Sequence, residues 1–226
     1  MTARLKSARV PRPATRGAPA AVAPAESVRD AVMRLKRERI VAAAVDLFYR
    51  QGYARTTLDQ VADALQVTKP FIYQYFKSKN DLLAEICGRA IKISHEALNR
   101  ALAQDGTPTA RLEAIAREFM LTVLTLQAHA VIYSREEKEL EPKDREAINV
   151  LRRAFDHRLV ALLREGKATG EFQVEDVELT ALAIGGIVGW SQVWFRPQGR
   201  LTREEASYGI AALVLAMVRA KPRSRR

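Results

Sequence analysis

The sequence has almost no cysteine, and it has no long uncharged apolar run. Cys87 is the single cysteine among 226 residues, so no disulfide can form within one chain. No stretch reaches the roughly 18 uncharged apolar residues that span a bilayer, and the N-terminus lacks the apolar core of a signal peptide. We therefore expect no membrane partner and a cytoplasmic location. Cys87 lies in an apolar helical pattern, which favours a buried inert thiol over a nucleophile.

Motifs for catalysis and metal binding are also missing. The histidines, His95, His129 and His157, fall on different predicted helices and lack the spacing of metal ligands. We find no glycine-rich phosphate loop, hydrolase elbow or pair of catalytic carboxylates. The acidic residues between 136 and 144 alternate with Arg and Lys, as on a solvated helix face. We expect no catalytic residue, no metal and no cofactor, and we do not expect an enzyme.

What the sequence does contain is an uneven distribution of charge around a formal net charge of +11. Residues 1–80 carry 15 Lys and Arg against 6 Asp and Glu, and residues 81–220 carry 18 against 20. A basic N-terminal third beside a nearly neutral remainder is typical of a phosphate-binding module joined to another domain. An ordinary basic surface is the alternative interpretation, because basic termini are common.

Apolar spacing divides the chain into four segments and predicts an all-α fold. Residues 1–26 contain several Pro and Arg but almost no large apolar side chain, which predicts a disordered basic arm. Residues 27–80 repeat apolar side chains at spacings of three and four, as short helices do. Residues 81–220 contain further helical blocks separated by Gly and Pro, which predict a larger domain for ligand binding and dimerisation. Residues 221–226 form a basic tail.

The predicted helices within residues 27–80 form a helix-turn-helix. Gly52 ends the first helix, the pair Thr56-Thr57 supplies the N-cap of a second of about two turns, and a short turn follows at Gln66-Val67. Thr68 is then the predicted N-cap of a third helix over 69–76, which is short enough to lie in a major groove. Helical geometry turns its apolar side chains at 72 and 76 inward, and it leaves several aromatic side chains outside, where they could contact DNA.

The run LFYRQGYARTTLDQVADALQVTKPFIYQYFKSKNDLLAEI, within residues 40–86, resembles the DNA-binding domain of the TetR family of bacterial regulators. The resemblance implies a homodimer that represses its genes on a near-palindromic operator in double-stranded DNA until a small molecule binds the C-terminal domain. By position, the implied phosphate contacts are Thr56, Thr57, Tyr73, Tyr75 and Lys79. The implied base contacts are Lys69, Pro70, Phe71 and Gln74, on the helix that Thr68 begins. Gln66 departs from the family pattern, which has Gly in this turn.

Two C-terminal runs, REEKELEPKDREAI and WFRPQGRLTREEASYGIAALVL, resemble the subgroup that senses CoA thioesters of fatty, steroid or aromatic acids. That resemblance implies an acyl-CoA effector. We predict an apolar ligand cavity between the helices around 112–126, 148–163 and 179–195, lined by Phe119, Tyr133, Phe155, Trp190 and Trp194. Simple core packing is the competing interpretation of these aromatics. The predicted cations for the CoA phosphates are Arg135, Arg152, Arg153 and Arg158.

A dimer interface is predicted where two glycines lie four residues apart on one helix face. Gly185 and Gly189 have no side chain to hold a neighbouring helix away, and each costs about 1 kcal/mol relative to Ala in a helix interior. We predict that this face packs with the last helix across a homodimer, although close packing within one subunit is the alternative. The apolar stripe assigned to the last helix consists of Ile210, Leu213, Val214 and Met217.

Two classes of function therefore remain to be separated. The first is a ligand-responsive repressor, and the second is an all-helical enzyme or ligand-binding protein with an incidental basic N-terminus. Residues 68–79 discriminate between them, because an enzyme has no reason to display such a segment after a tight turn.

Overall fold

The computed structural model describes residues 27–218, and within them the chain forms α-helices and one 310 turn without any strand. The all-α prediction is confirmed. The predicted basic arm (1–26) and basic tail (221–226) lie outside the described residues. The elements are α1 (Val28–Gln51), α2 (Leu58–Leu65), α3 (Lys69–Tyr73), α4 (Lys79–Leu102), α5 (Pro108–Thr125), α6 (Gln127–Glu136), the 310 turn (Glu137–Glu139), α7 (Pro142–Ala168), α8 (Val177–Trp194) and α9 (Arg203–Met217).

Local signals set the ends of the first two helices. The Ser27 hydroxyl accepts a hydrogen bond from the Asp30 N–H at 3.1 Å, and Gly52 ends α1 with a φ of 86° that suits glycine. Thr57 begins α2 through a reciprocal capping box with Gln60, in which each side chain accepts from the other residue's N–H. These boundaries agree with the sequence prediction because caps depend on neighbouring residues alone.

The turn between α2 and α3 adopts the geometry that glycine would adopt more easily. Gln66 has a φ of 56° and lies in the left-handed region, as the only such non-glycine residue between 27 and 218. α3 is shorter than predicted, since it ends at Tyr73 and continues to Phe76 only as hydrogen-bonded turns. Thr68 occupies the N-cap position, but its side chain makes no capping hydrogen bond.

The N-terminal apolar core extends beyond the helix-turn-helix. Ile72 and Phe76 are fully buried against α1 and α2, as the sequence predicts. The same cluster includes side chains from α4, α6 and α7, namely Leu82, Leu83, Ile86, Cys87, Ile132 and Ile148. The predicted domain boundary at residue 80 therefore does not coincide with a break in the core, and it stays a prediction.

A second core fills the C-terminal part and positions the helices around a central space. α5 packs most extensively on α9, and it also contacts α4, α7 and α8. Phe155, Leu112, Met120 and Val188 are among its buried members. Residues 27–218 contain no single helix long and apolar enough to cross a membrane, and only α5 taken together with 127–139 meets that test, across a bend of 77°.

Two expectations about the C-terminal helices are wrong. Gly166, one of the glycines expected to separate the helical blocks, lies inside α7, where a Cβ would overlap the buried Phe172 ring; the ring's approach explains the glycine. Ile210 and Val214, expected at a dimer interface, are buried in the core of their own subunit. The apolar pattern of α9 marks its inner face, and one sequence cannot tell an inner face from an outer one.

Replacing Gln66 by Gly should stabilise the protein by about 0.5–1 kcal/mol. The left-handed conformation costs an L-residue about 1–2 kcal/mol, which exceeds the extra backbone entropy that glycine loses on folding. The matched control is Ala64→Gly at an exposed position of α2, which should destabilise by about 1 kcal/mol. Urea unfolding of both variants checks the expectation, and a loss of stability in Gln66→Gly comparable to the control would contradict it.

Candidate DNA-binding surface and effector cavity

The outer face of α3 is polar and accessible. The exposed residues are Thr68, Lys69, Pro70, Tyr73 and Gln74, whereas Phe71 and Tyr75 are half-buried. Lys69 Nζ pairs with Asp59 Oδ2 at 2.8 Å, and this hydrogen bond raises the pKa of the Lys69 ammonium. An exposed pair of this kind contributes little to stability, so the ammonium can exchange its partner for a base or a phosphate.

α1 holds the aromatic side chains of this surface in place. The rings of Phe71 and Tyr75 lie 5.2 Å apart, and Lys36 Nζ lies 5.7 Å from the Phe71 ring centroid. The Tyr75 hydroxyl contacts Met33 Sδ at 3.6 Å. Sequence reasoning missed Met33 and Lys36 because they are distant in the chain. Tyr73, at 48% exposed, is the more accessible tyrosine of the two.

The residues between α1 and α2 do not all face outward as predicted. Thr56 is completely buried; its hydroxyl donates to the Gly52 carbonyl at 2.9 Å and accepts from Gln51 Nε2. This burial is incompatible with the expected phosphate contact. Thr57 is exposed at the start of α2, where a phosphate would meet free N–H groups. Lys79 Nζ donates to the Tyr53 and Thr56 carbonyls, both at 2.9 Å, and so braces this loop with two of its three hydrogens.

Charged pairs connect this surface to the rest of the chain. Arg37 of α1 binds Glu85 of α4 at 2.9 Å and also donates to the Tyr75 carbonyl at 2.9 Å. Glu38 of α1 pairs with Arg89 of α4. His129 of α6 lies close to that pair, and burial, reinforced by the Arg89 charge, lowers the pKa of the imidazole to about 4. Its buried Nε2 has no hydrogen-bond partner within the described residues.

A cavity of about 600 Å³ lies between α4, α5, α6, α7 and α8, and we call it the central cavity. Four of the five predicted ligand-binding residues line it: Phe119, Tyr133, Phe155 and Trp190. The Phe119 and Phe155 rings lie 4.8 Å apart. Trp194 does not line it; it lies beside Phe195 at the end of α8, 41% exposed, because the helix ends beyond the cavity.

A few polar groups interrupt the apolar walls of the central cavity. Ser94 is buried and its hydroxyl has no hydrogen-bond partner among residues 27–218. Arg152 donates to the Tyr133 hydroxyl at 3.0 Å. Desolvation raises the pKa of the Asp156 carboxyl, and burial raises the pKa of the Cys87 thiol to about 12. The cavity therefore combines apolar surface with unused hydrogen-bonding capacity, as ligand sites do.

The predicted cations divide between different places. Arg152 lines the central cavity, and Arg135 lines an adjoining recess. Arg153 pairs with Glu146 at 2.5 Å, and Arg158 donates to Asn99 Oδ1 at 2.5 Å, so both are occupied away from the cavity. No group of three His, Cys, Asp or Glu side chains in the described range could hold a metal ion.

The glycines of α8 border open space and not a neighbouring helix of the same subunit. A Cβ added at Gly185, Gly186 or Gly189 meets no atom within 4 Å, and all three line the central cavity. The alternative of close packing within one subunit is therefore excluded for them. α8 and α9 expose large apolar side chains. Leu182 and Trp190 do so at the open side of the central cavity, and the others are Leu179, Val193, Trp194, Tyr208, Leu213 and Met217.

Comparison with protein families accounts for both regions. The family described as bacterial regulatory proteins, tetR family, matches residues 40–86, and the tetracyclin repressor-like C-terminal domain matches residues 105–218. The second match alone spans half of the 226 residues. The chain belongs to the TetR family. The resemblance seen in the sequence is confirmed, and this TetR protein is a DNA-binding transcriptional regulator.

Individual TetR relatives match most of the chain. The repressor KstR2 of Mycolicibacterium smegmatis is 26% identical over 185 residues, covering 80% of this chain and 89% of that protein. The crystal structure of PfmR from Thermus thermophilus has a TM-score of 0.73 and 30% identity, covering 82% and 100% of the two chains. AibR in complex with isovaleryl coenzyme A and operator DNA has a TM-score of 0.68 and 25% identity, covering 79% and 97%.

Membership in this family gives the partners of the regulator. TetR regulators bind operator DNA, respond to a small-molecule effector and act as homodimers. The prediction of a ligand-responsive regulator with these partners is confirmed, and the family to which the chain belongs consists of transcriptional regulators.

Replacing His129 by Gln should remove a pH dependence of stability. Because the folded-state pKa is about 4, below the ordinary 6.5, protonation favours the unfolded chain. The contribution of neutral His129 to the free energy of unfolding is fully present above pH 6.5 and is lost as the pH falls from 6.5 to 4. Thermal unfolding between pH 7.5 and 4 should show a flatter profile for His129→Gln than for wild type. The exposed control His157→Gln should follow wild type, and a steep profile in both variants would contradict the account.

Proposed function

We propose that this regulator is a repressor that leaves its operator when the acyl group of a CoA thioester enters the central cavity. The observation that carries the proposal is the cavity itself, whose aromatic and aliphatic walls are interrupted by polar side chains that include Glu137, Arg152 and Asp156. The AibR complex with isovaleryl coenzyme A and operator DNA supports the CoA class of effector. The proposed activity is binding alone, with no bond made or broken, at the chromosomal DNA in the cytoplasm.

On the DNA side, we assign the exposed face of α3 to the bases. Lys69, Pro70, Phe71 and Gln74 lie at or near that face, and a Gln amide can pair with adenine through two hydrogen bonds. Thr57, Tyr73, Tyr75 and Lys79 lie around its edge and are assigned to phosphates. Thr68 is assigned to the surface at the start of α3. Thr56 is left out because its hydroxyl is buried.

For the homodimer, we assign the interface to the outer faces of α8 and α9. Exposed apolar side chains such as Leu179, Val193 and Leu213 form a surface that water disfavours and a second copy would cover. In such a dimer, a twofold axis through α8 and α9 relates the two copies of α3, one from each subunit. Such a dimer reads a near-palindromic operator.

Replacing Gln74 by Ala should change which base is preferred, whereas replacing Tyr73 by Phe should weaken binding to all sequences alike. A good base contact contributes about 1–3 kcal/mol of discrimination, while a phosphate contact carries no sequence information. Binding to a randomised operator library measures both effects. Gln173→Ala, at an exposed glutamine outside the helix-turn-helix, serves as the control. An unchanged preference in Gln74→Ala would remove Gln74 from the base-reading set.

Acyl-CoAs should release the protein from the DNA that flanks its own gene, and the corresponding free acids should not. The complex is titrated with isovaleryl-CoA, octanoyl-CoA and the free acids, and release is followed by fluorescence anisotropy. Gly185→Leu should reduce the response to octanoyl-CoA most, because the new side chain projects into the open space at the cavity wall. Ala161→Leu, at an exposed position of α7, is the control. Indifference to every thioester would contradict the proposed effector class.

A further inference from the structure

A second space lies directly beside the central cavity, and we call it the arginine recess. It measures about 580 Å³ and is bordered by the end of α1, by α6, and by the end of α8 with the loop that follows. Ser134 and Gln192 line both spaces, so the two spaces adjoin at these residues. A ligand that passes between Ser134 and Gln192 would occupy the central cavity with one end and the arginine recess with the other.

The charge of the arginine recess is entirely positive. Arg135 and Arg196 line it, and no Asp or Glu is among the described residues on its walls. Arg196 Nη1 donates to the Val193 carbonyl at 2.8 Å and to the Phe195 carbonyl at 3.2 Å, which fixes one side of its guanidinium. The Arg135 guanidinium lies 5.9 Å from the Tyr49 ring centroid. Arg196 is thus held in place and Arg135 lies beside Tyr49, and guanidinium groups can bind phosphate oxygens with paired, charge-assisted hydrogen bonds.

The two arginines of the recess differ from arginines elsewhere in the C-terminal part. Arg153 and Arg164, for example, are ion-paired with Glu146 and Glu178. Neither Arg135 nor Arg196 forms an ion pair with a carboxylate within residues 27–218. Their charge is therefore available to an anion that enters the recess.

The junction between the spaces contains an unused hydrogen-bond acceptor. Gln127 Nε2 donates to the backbone carbonyls of Gln192 and Phe195 at 2.9 and 3.1 Å and holds this end of α8 in place. The Gln192 side-chain Oε1 is buried and has no hydrogen-bond partner among the described residues. A buried acceptor without a partner costs about 1–3 kcal/mol, so a ligand N–H at this point would bind favourably.

We infer that the arginine recess binds the phosphate-bearing nucleotide end of the same CoA thioester whose acyl group lies in the central cavity. Arg135 and Arg196 bind its phosphates, and Gln192 Oε1 accepts a hydrogen bond from an amide N–H of the pantetheine arm. The inference rests on the proposed function, and it adds the residues that distinguish a CoA thioester from its free acid. Arg196 and Gln192 were not among the predicted ligand residues.

The position of Tyr49 gives the nucleotide end a role in the response. Tyr49 lines the recess and belongs to α1, next to Phe48 in the core of the helix-turn-helix. A bound nucleotide therefore contacts the DNA-binding part directly, whereas an acyl group alone contacts it only through the cavity walls. The complete thioester should release DNA at lower concentration than the acyl-pantetheine.

Calorimetric titration of the full-length protein tests the inference. The probes are octanoyl-CoA, octanoyl-pantetheine, and 3′,5′-adenosine bisphosphate, a free nucleotide that shares the adenosine and 3′-phosphate of CoA and has a 5′-monophosphate in place of its diphosphate. Arg135→Gln/Arg196→Gln should weaken octanoyl-CoA binding by about 10- to 100-fold, as expected for the loss of charged hydrogen bonds, and should leave octanoyl-pantetheine binding unchanged. Arg153→Gln is the matched control, because Arg153 is exposed but lies outside the recess.

The outcomes separate this inference from the proposed function. If wild type binds no acyl-CoA, both fail. If wild type binds octanoyl-CoA and the double variant binds it equally well, only the recess is overturned. Equal wild-type affinity for octanoyl-CoA and octanoyl-pantetheine would also overturn it, as would binding of the free bisphosphate as tight as that of the thioester. The single variant Arg135→Gln repeats the test without disturbing the loop that Arg196 holds.

Discussion

A single apolar cluster connects α3 to the walls of the central cavity. Ile72 and Phe76, which anchor α3 and the turn after it, belong to the same buried cluster as Cys87 and Ile148. Cys87 and Ile148 also line the central cavity. Because protein interiors are close-packed and yield little, a ligand that displaces these walls must be accommodated by the helices that share them. The position of α3 is thereby tied to the contents of the cavity.

Polar contacts also connect α4 with its neighbours between α3 and the central cavity. Arg37 joins α1 to α4 while also holding the Tyr75 carbonyl, and Asn80 of α4 donates to the Glu139 carbonyl at 2.6 Å. Effector binding can weaken DNA affinity only by the difference between the effector's affinities for the two conformations. In the proposed mechanism that difference arises because the central cavity and the apolar cluster that anchors α3 share Cys87 and Ile148, so that these walls move together with the helices that bear them.

The sequence was informative where the cause is local. Gly52 was correctly predicted to end α1, and the Thr56-Thr57 pair to begin α2, because capping depends on adjacent residues. Gln66 was singled out as a departure from the family pattern, and it adopts the left-handed geometry. Burial of a side chain by elements distant in the sequence could not be predicted in the same way. Thr56 and Thr57 look equivalent in sequence, yet only the fold places the Thr56 hydroxyl against the Gly52 carbonyl.

The same limit applies to the effector region. Four of the five aromatic residues predicted to line the cavity do so, but Trp194 lies beyond it. This position could not be predicted, because the sequence does not show where α8 ends relative to α5 and α6. The helical spacing of Ile210 and Val214 was recognised correctly, but these side chains face the core of their own subunit and not a dimer interface. Arg196 and Gln192 had no sequence signal, since their significance depends on the place where the arginine recess and the central cavity adjoin.

The central claim is that a ligand in the central cavity moves the two copies of α3 in the dimer. Because α2 packs against α3, the distance between the two copies of α2 tests this claim most directly. A spin label is attached at the exposed position Asp63→Cys, whereas Cys87 is buried and burial raises the pKa of its thiol to about 12, which disfavours labelling there. Pulsed electron–electron spin resonance is measured on operator-bound protein and on protein saturated with octanoyl-CoA. The account predicts a distance distribution with the thioester that differs from the operator-bound one. An identical distribution, with octanoyl-CoA binding verified by calorimetry, would contradict it.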